Sequence, residues 1–424
     1  MDWVTGRRKF FPSDEQVRAM SHEDIRRRGF KDRTRLDAAR QTLADRISPH
    51  GRTERIDLVA ADGRVAATAL TAGRDVPHYD RAAMDGWAVM ANDTHGASDR
   101  APNRLTAAEA VTSGTAVPVN TGDELPDGAD AVVMKERVEV DGDRLDVFAS
   151  VPVGANVGSA GEDIEAGFTL VEAGARLRPS DLGLLKAAGI KTVKTIEPAR
   201  VAVIPTGDEL VDENPDPGEI VETNALTVSQ FVRRWGGNAT YRDIIPDDRT
   251  ALREAITADL DHDVIVTTGG SSVGDRDLLP EIVNEMGEVF VHGVALKPGH
   301  PVALGEVDGT PVLMLPGYPV ACIVNAMQFL RPSIAWLMDT DPYPIPTTDA
   351  RLDGKLRSDP GHRTFARVSL DRSDSEWIAQ PVRASGAGVL SSVTEADGWI
   401  VVPEAREGIP AGETVTVERW EWPP

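Results

Sequence analysis

The residues best suited to chemistry lie between 263 and 287, in the stretch DVIVTTGGSSVGDRDLLPEIVNEMG. Val264, Ile265 and Val266 form a β-branched run too short for a helix, and it stops at Thr267-Thr268-Gly269-Gly270. Leu278, Leu279, Ile282 and Val283 then recur at helical spacing up to Gly287. The pattern predicts a buried strand, a glycine turn and a helix N-terminus. At such a junction free backbone N–H groups and the positive end of the helix dipole converge, so an anion binds without a dedicated cation. Ser271, Ser272, Asp275 and Asp277 crowd the same turn. They add hydroxyls that suit phosphate and carboxylates that suit a hard cation such as Mg²⁺.

A glycine turn between strand and helix also serves packing alone, and two more stretches are needed to decide. Val201-Ala202-Val203-Ile204 runs into Pro205-Thr206-Gly207-Asp208-Glu209-Leu210. Val312-Leu313-Met314-Leu315 runs into Pro316-Gly317-Tyr318-Pro319, ahead of an apolar helix from Val320 to near Trp336. Open parallel sheets bind their ligands at the carboxyl ends of the strands. Three loops of this composition within one α/β region imply one shared pocket.

The elements that must position these loops give a multidomain α/β plus β chain. Residues 1–32 are charged, with little apolar periodicity, and receive no function. Residues 33–75 and 156–197 are mixed in character, with an amphipathic helix from Leu36 and a second from Leu177 to Ala188 that ends at Gly189. Between them, 76–155 carries short β runs (Trp87 to Met90, Ala131 to Met134, Val138 to Val140) and turn signals at Asp127-Gly128 and Asp141-Gly142, predicting a small inserted β domain. Residues 198–340 alternate strands with helices, such as Leu226 to Trp235 and Thr250 to Leu260, as a mainly parallel sheet requires. Asp341 to Pro346 is a stiff linker, and 347–424 reads as a C-terminal β domain.

Composition narrows the function classes. The 424 residues are 41% hydrophobic, enough for several cores, and the net charge is −23, with 68 Asp+Glu against 45 Lys+Arg. Only eight of those cations are lysine. A folded chain this acidic suits concentrated salt or ordinary solubility, and lacks the basic footprint of a nucleic-acid binder. The single cysteine, Cys322, excludes an internal disulfide; it sits in an apolar helix and is expected to be buried and inert. No membrane span and no signal-peptide core are expected, which predicts a cytoplasmic protein.

Taken together and in order, AAMDGWAV, NTGDELPDGADAVVMKE, GEDI, IPTGDEL, TGGSSVGDRD, LKPGHP and LPGYPV resemble the molybdopterin molybdenumtransferase family (MoeA, and the E domain of gephyrin) over roughly residues 33–424. The resemblance implies a central MogA-like α/β domain and a homodimer of four-domain subunits, in which that domain of one chain faces the first two domains of the other. It implies insertion of molybdate into adenylylated molybdopterin with Mg²⁺ and release of AMP. Other cofactor-biosynthesis proteins are implied as further partners. The implied catalytic set is Asp85, Thr121, Asp163, Glu209, Asp247 and Asp277, with Asp277 and Asp247 or Glu209 on the metal and a spare carboxylate orienting water. The implied substrate contacts are Gly269, Gly270, Ser271, Ser272, Gly274, Lys297, His300, Pro316 and Pro319. Lys297 is the candidate for molybdate, and Arg363 and Arg367 are candidate bidentate oxyanion ligands.

The chain departs from the family pattern at several positions. His300 and Tyr318 stand where a lysine and an asparagine are common, and Gly293 where relatives use a lysine. Val157-Gly158-Ser159-Ala160 lacks the arginine that precedes GED in relatives, and the serine loop around Ser385-Gly386-Ala387-Gly388 aligns poorly. These changes leave tungstate open beside molybdate. A molybdopterin adenylyltransferase and a non-catalytic molybdopterin-binding assembly protein are the rival readings. Bland roles compete too, since Asp208 and Glu209 suit a helix cap and Asp85 a turn.

Overall fold

In the computed structural model, which describes residues 33–270, 278–373, 376–382 and 387–421, apolar runs become strands wherever they are too short and too β-branched to coil. Two compact units result, one formed by 53–196 and the other by 33–52 with 197–421.

The larger unit opens with helix α1 (Leu36–Arg46), whose Leu36, Ala39 and Leu43 are fully buried. The smaller unit begins with β1 (Thr53–Asp57). It then carries β2 (Gly86–Val89), β3 (Asn103–Ala107), β4 (Thr115–Val119), β5 (Ala131–Met134), β6 (Val138–Asp141) and β7 (Arg144–Val147). Strands β2 to β7 form one sheet in the order β5-β2-β4-β3-β7-β6, antiparallel except for the β4–β3 pair. Helix α2 (Pro179–Ala187) and strand β8 (Thr192–Ile196) complete the unit, with β8 pairing antiparallel to β1. The 76–155 insertion therefore leaves from and returns to one framework. Three of its strands, β3, β4 and β7, escape the sequence reading because charged and small residues interrupt their apolar positions.

The larger unit continues with β9 (Arg200–Pro205), α3 (Asn224–Arg234), β10 (Asn238–Tyr241), α4 (Arg249–Ala258), β11 (Val264–Thr268) and α5 (Leu279–Met286). Next come β12 (Glu288–His292), β13 (Ala303–Val307), β14 (Thr310–Leu315) and a helix α6 spanning Pro319–Leu337 with one π turn at Ala326–Leu330. The sheet order is β10-β9-β11-β14-β13-β12. The first four strands are parallel, and β13 and β12 add an antiparallel edge. Every residue of β11 and β14 is buried, which is why both read as unbroken apolar runs. Each Val or Ile so buried contributes about 1.5–3 kcal/mol.

Helix α6 is long and apolar enough to cross a membrane by composition, contrary to the expectation that no run approaches that length. It is 89% buried inside its unit, so its apolarity comes from being a core helix. Arg40 of α1 donates to the Gln328 carbonyl of α6 at 3.1 Å, and the fully buried face of α1 packs there. Residues 33–52, grouped with 53–75 in the sequence reading, thus pack in the larger unit.

The C-terminal strands β15 (Thr347–Leu352), β16 (Arg363–Arg372), β17 (Trp377–Pro381), β18 (Gly398–Val402) and β19 (Thr414–Glu418) run β16-β17-β15-β19-β18. Strand β18 pairs back onto β16, closing the sheet. The two-residue strand Leu296–Lys297 joins β16 in parallel, Lys297 opposite Thr364.

Candidate functional site

Because β9, β11 and β14 are parallel neighbours, their C-terminal loops leave the sheet along one edge. The contacts there are close. A Cβ on Gly269 would lie 2.1 Å from the Thr206 carbonyl oxygen, and Gly269 has φ +130, so only glycine fits between the loops. Gly269 N–H donates to the Leu315 carbonyl at 3.1 Å, and a Cβ on Gly317 would lie 3.6 Å from the Gly269 Cα. The three loops named from sequence converge.

A fourth segment joins them. Gly207 N–H donates to the Ile245 carbonyl at 3.1 Å, and Asp247 N–H donates to Asp208 Oδ1 at 3.0 Å. Glu209 curls back over Gly207, its carboxylate about 3.0 Å from where a Cβ would stand. Two neighbouring carboxylates therefore have different tasks: Asp208 pins the 245–248 loop, while Asp248 caps α4 through the N–H groups of Thr250 and Ala251. Asp247 and Glu209 are carried on adjoining loops. Ser271, Ser272, Gly274 and Asp277 lie outside the described residues.

Asn224, absent from the sequence reading, donates from Nδ2 to the Gly317 carbonyl at 2.6 Å. It ties the start of α3 to the Pro316–Pro319 loop. Its signal was faint: one amide at a helix start, whose partner lies 93 residues away. Pro319 occupies the first turn of α6, where its fixed φ costs no hydrogen bond. Farther along α6, the Ala321 carbonyl and Asn325 side chain abut Gly299 of the LKPGHP segment.

In that segment Lys297 is engaged by the Asp359 carboxylate, and both are more than half exposed. The Lys297 ammonium, expected to stand ready for an anion, thus has an internal counter-ion, which an oxyanion must displace or share. His300 is held below the usual histidine range by burial first, then by Arg33, His362 and Lys297, so the neutral form is favoured at neutral pH and an anion would meet a charged His300 only as the pH falls. Arg363 forms the bidentate pair expected of it, but with Asp37 at 2.7 and 2.8 Å, and it also meets Glu404. Its fork is filled by the protein itself. Burial lowers the Arg367 guanidinium. Ser385 and Gly386 lie outside the described residues, while Ala387 accepts from Val320 N–H at 3.0 Å. Cys322 is buried and its thiol is pushed up by desolvation, which makes it inert.

The smaller unit holds the second half of the expected set. Asp85 Oδ1 accepts from Thr121 N–H at 2.9 Å and Thr121 Oγ1 at 2.8 Å, and Oδ2 accepts from Lys135 Nζ at 3.1 Å. The Thr121 backbone, the Thr121 hydroxyl and Lys135, in that order, lower Asp85 from 3.8 to about 2. Lys135 belongs to the NTGDELPDGADAVVMKE motif. The glycine of the Asp85 motif, AAMDGWAV, is explained by packing, since a Cβ on Gly86 would lie 2.0 Å from the Val133 carbonyl. Asp163 is not part of this trio: its N–H donates to Val76 at 3.1 Å. Beside it, Glu162 pairs with Arg81 at 2.8 Å, and a Cβ on Gly158 would lie 3.2 Å from Arg81 Nε.

Comparison with known proteins decides the family. The models for the MoeA N-terminal region (domains I and II), a "Probable molybdopterin binding domain" and the MoeA C-terminal region (domain IV) match residues 34–189, 202–336 and 349–420 in succession. A molybdopterin molybdenumtransferase of Haemophilus influenzae is 31% identical over 394 residues, 90% of this chain and 98% of that one. The chain belongs to the molybdopterin molybdenumtransferase (MoeA) family. A protein of Methanocaldococcus jannaschii named "Putative molybdopterin biosynthesis protein" is 36% identical over 390 residues, 89% of this chain and 94% of that protein. The crystal structure of a molybdopterin biosynthesis MoeA protein from Pyrococcus horikoshii OT3 aligns with a TM-score of 0.79 at 31% identity, covering 92% of this chain and all of that one. The MoeA fold, a MogA-like α/β domain flanked by β domains, is the one expected from the motifs.

Glu209 and Asp247, two of the metal ligands expected from the sequence, stand on adjoining loops and offer carboxylate oxygens. That chemistry fits a hard divalent cation. Among the described residues the group whose donor atoms lie close enough together for a metal is Asp259, Asp261 and His262, but Arg242 already binds both oxygens of the buried Asp259.

Proposed function

We propose that the protein inserts molybdenum into adenylylated molybdopterin, using molybdate and releasing AMP. The observation that carries this reading is the meeting of the Thr206, Gly269 and Gly317 loops at one sheet edge, in a chain of the MoeA family along nearly its whole length. Gly269 and Gly270 bring backbone close enough for a phosphate chain to lie against it. Glu209 and Asp247 would hold Mg²⁺ there, with Asp277, outside the described residues, as the further ligand the sequence implies, and the ion when bound supplies charge neutralisation at the pyrophosphate.

The chain's own groups account for the rest. Asp85 remains a carboxylate throughout the physiological range because its acidity lies near 2, so it orients water or cations and is too weak a base to take protons. Thr121 fixes its direction. Lys297, shared with Asp359, is the cation assigned to the incoming oxyanion, molybdate or tungstate. Asp163, whose backbone N–H is tied to the Val76 carbonyl in the smaller unit, is assigned a supporting role. A homodimer working in the cytoplasm, alongside other cofactor-biosynthesis proteins, belongs to this reading.

The test is AMP release from adenylylated molybdopterin with Mg²⁺, run with molybdate and tungstate in parallel at high and low salt. Release that depends on the oxyanion supports the reading. Absence of release, or adenylylation of molybdopterin by ATP instead, overturns it.

A further inference from the structure

Tyr318 occupies the N-cap of α6, a position where Ser, Thr, Asp or Asn would satisfy a free N–H of the first turn, yet it makes no capping hydrogen bond. The residue is 64% exposed, the most open of the chain's exposed tyrosines. The seat beneath that ring is firm. The Gly317 carbonyl before it is held by Asn224, the Tyr318 carbonyl accepts from Cys322 N–H at 2.8 Å, and Val320 N–H reaches Ala387 at 3.0 Å. A Cβ on Gly388 would approach the ring atoms Cδ1 and Cε1 to 3.3 and 3.5 Å, so the ring rests along bare glycine backbone and its remaining surface faces outward. The residue before it abuts Gly269.

We propose that Tyr318 is a substrate-binding residue whose ring stacks on a planar heteroaromatic ring, the pterin or the adenine of the substrate. The proposal rests on the reading above, which supplies a substrate with two such rings. A residue that forgoes a cap and keeps a rigid, exposed π face at the strand-end loops loses little entropy when a flat ring settles on it. Stacking of this kind tolerates either ring, because both present a π face. The experiment's ligands separate the two sources.

Affinities for AMP, for molybdopterin and for ribose 5-phosphate are measured by calorimetry on the unaltered protein, Tyr318→Ala and Tyr318→Phe, with KM and kcat for AMP release alongside. Tyr318→Ala is expected to weaken one of the two ring-bearing ligands about tenfold and to raise KM with kcat nearly unchanged. Tyr318→Phe is expected to match the unaltered protein, and ribose 5-phosphate to bind all three equally. The ligand that weakens names the ring. Unchanged affinity for both ring ligands in Tyr318→Ala, an equal loss for ribose 5-phosphate, or a Tyr318→Phe protein as weak as Tyr318→Ala overturns the proposal. If the unaltered protein releases no AMP but Tyr318→Ala still loses ring affinity, the reaction is wrong and the stacking stands.

Discussion

Thr121 donates twice to one oxygen of Asp85, from its backbone N–H at 2.9 Å and from its hydroxyl at 2.8 Å. The two residues are 36 apart in sequence, on the β2 entry and in the turn after β4. These two hydrogen bonds to one oxygen, with Lys135 on the other, fix both the charge and the direction of an exposed carboxylate.

Asp85 is therefore expected to titrate near 2, followed by carboxyl NMR. Because its folded value is below the unfolded one, the stability it contributes is present above about pH 4 and is lost as pH falls through 2. Thr121→Val removes the hydroxyl but keeps the N–H, so the titration should move upward without reaching 3.8. An acid limb near pH 5 or 6 in the rate must come from another group, and Asp85→Asn should leave such a limb in place at a reduced rate.

The neighbouring carboxylates of the 206–209 and 245–248 loops should separate by task. Glu209→Gln and Asp247→Asn are each expected to reduce kcat for AMP release about a hundredfold. Asp208→Ala, which frees the Asp247 N–H, should cost less, about tenfold, through misplacement. Asp248→Ala should lower stability by about 1 kcal/mol in urea unfolding and leave kcat unchanged, as befits a helix cap.

Gly269→Ala should be destabilising by about 3 kcal/mol or more, because a clash with the Thr206 carbonyl is added to an unfavourable φ. Gly309→Ala offers the control within the same unit. Its φ is +84, but a Cβ there meets nothing within 4 Å, so about 1–2 kcal/mol is expected from backbone strain alone. Urea unfolding of the two variants measures the difference.

His300 should show a proton NMR titration midpoint below 6.5. Its folded value is depressed, so the stability tied to its neutral form is present above the unfolded value and is lost as pH falls through the folded one. His292, lowered by burial, acts in the same sense. If His300 contacts the oxyanion, molybdate or tungstate affinity rises as pH falls toward that midpoint, and His300→Gln removes the rise.

The sequence by itself determined the local grammar of the site. The runs Val201 to Ile204, Val264 to Val266 and Val312 to Leu315 are buried on both faces, so their apolarity is continuous and needs no partner to be read. Their loops betrayed themselves by glycine, proline and acid, and the ordered motifs carried the family. What only the tertiary structure decided is pairing between residues remote in the chain. Asn224 with Gly317, Lys297 with Asp359, Arg363 with Asp37 and Lys135 with Asp85 each join two residues through polar atoms alone, and composition and periodicity do not encode which of many acids or amides a side chain meets. The same holds for Gly269, whose need for glycine comes from the carbonyl of Thr206 on the neighbouring loop, and for α6, whose apolar length is explained only by the core that encloses it.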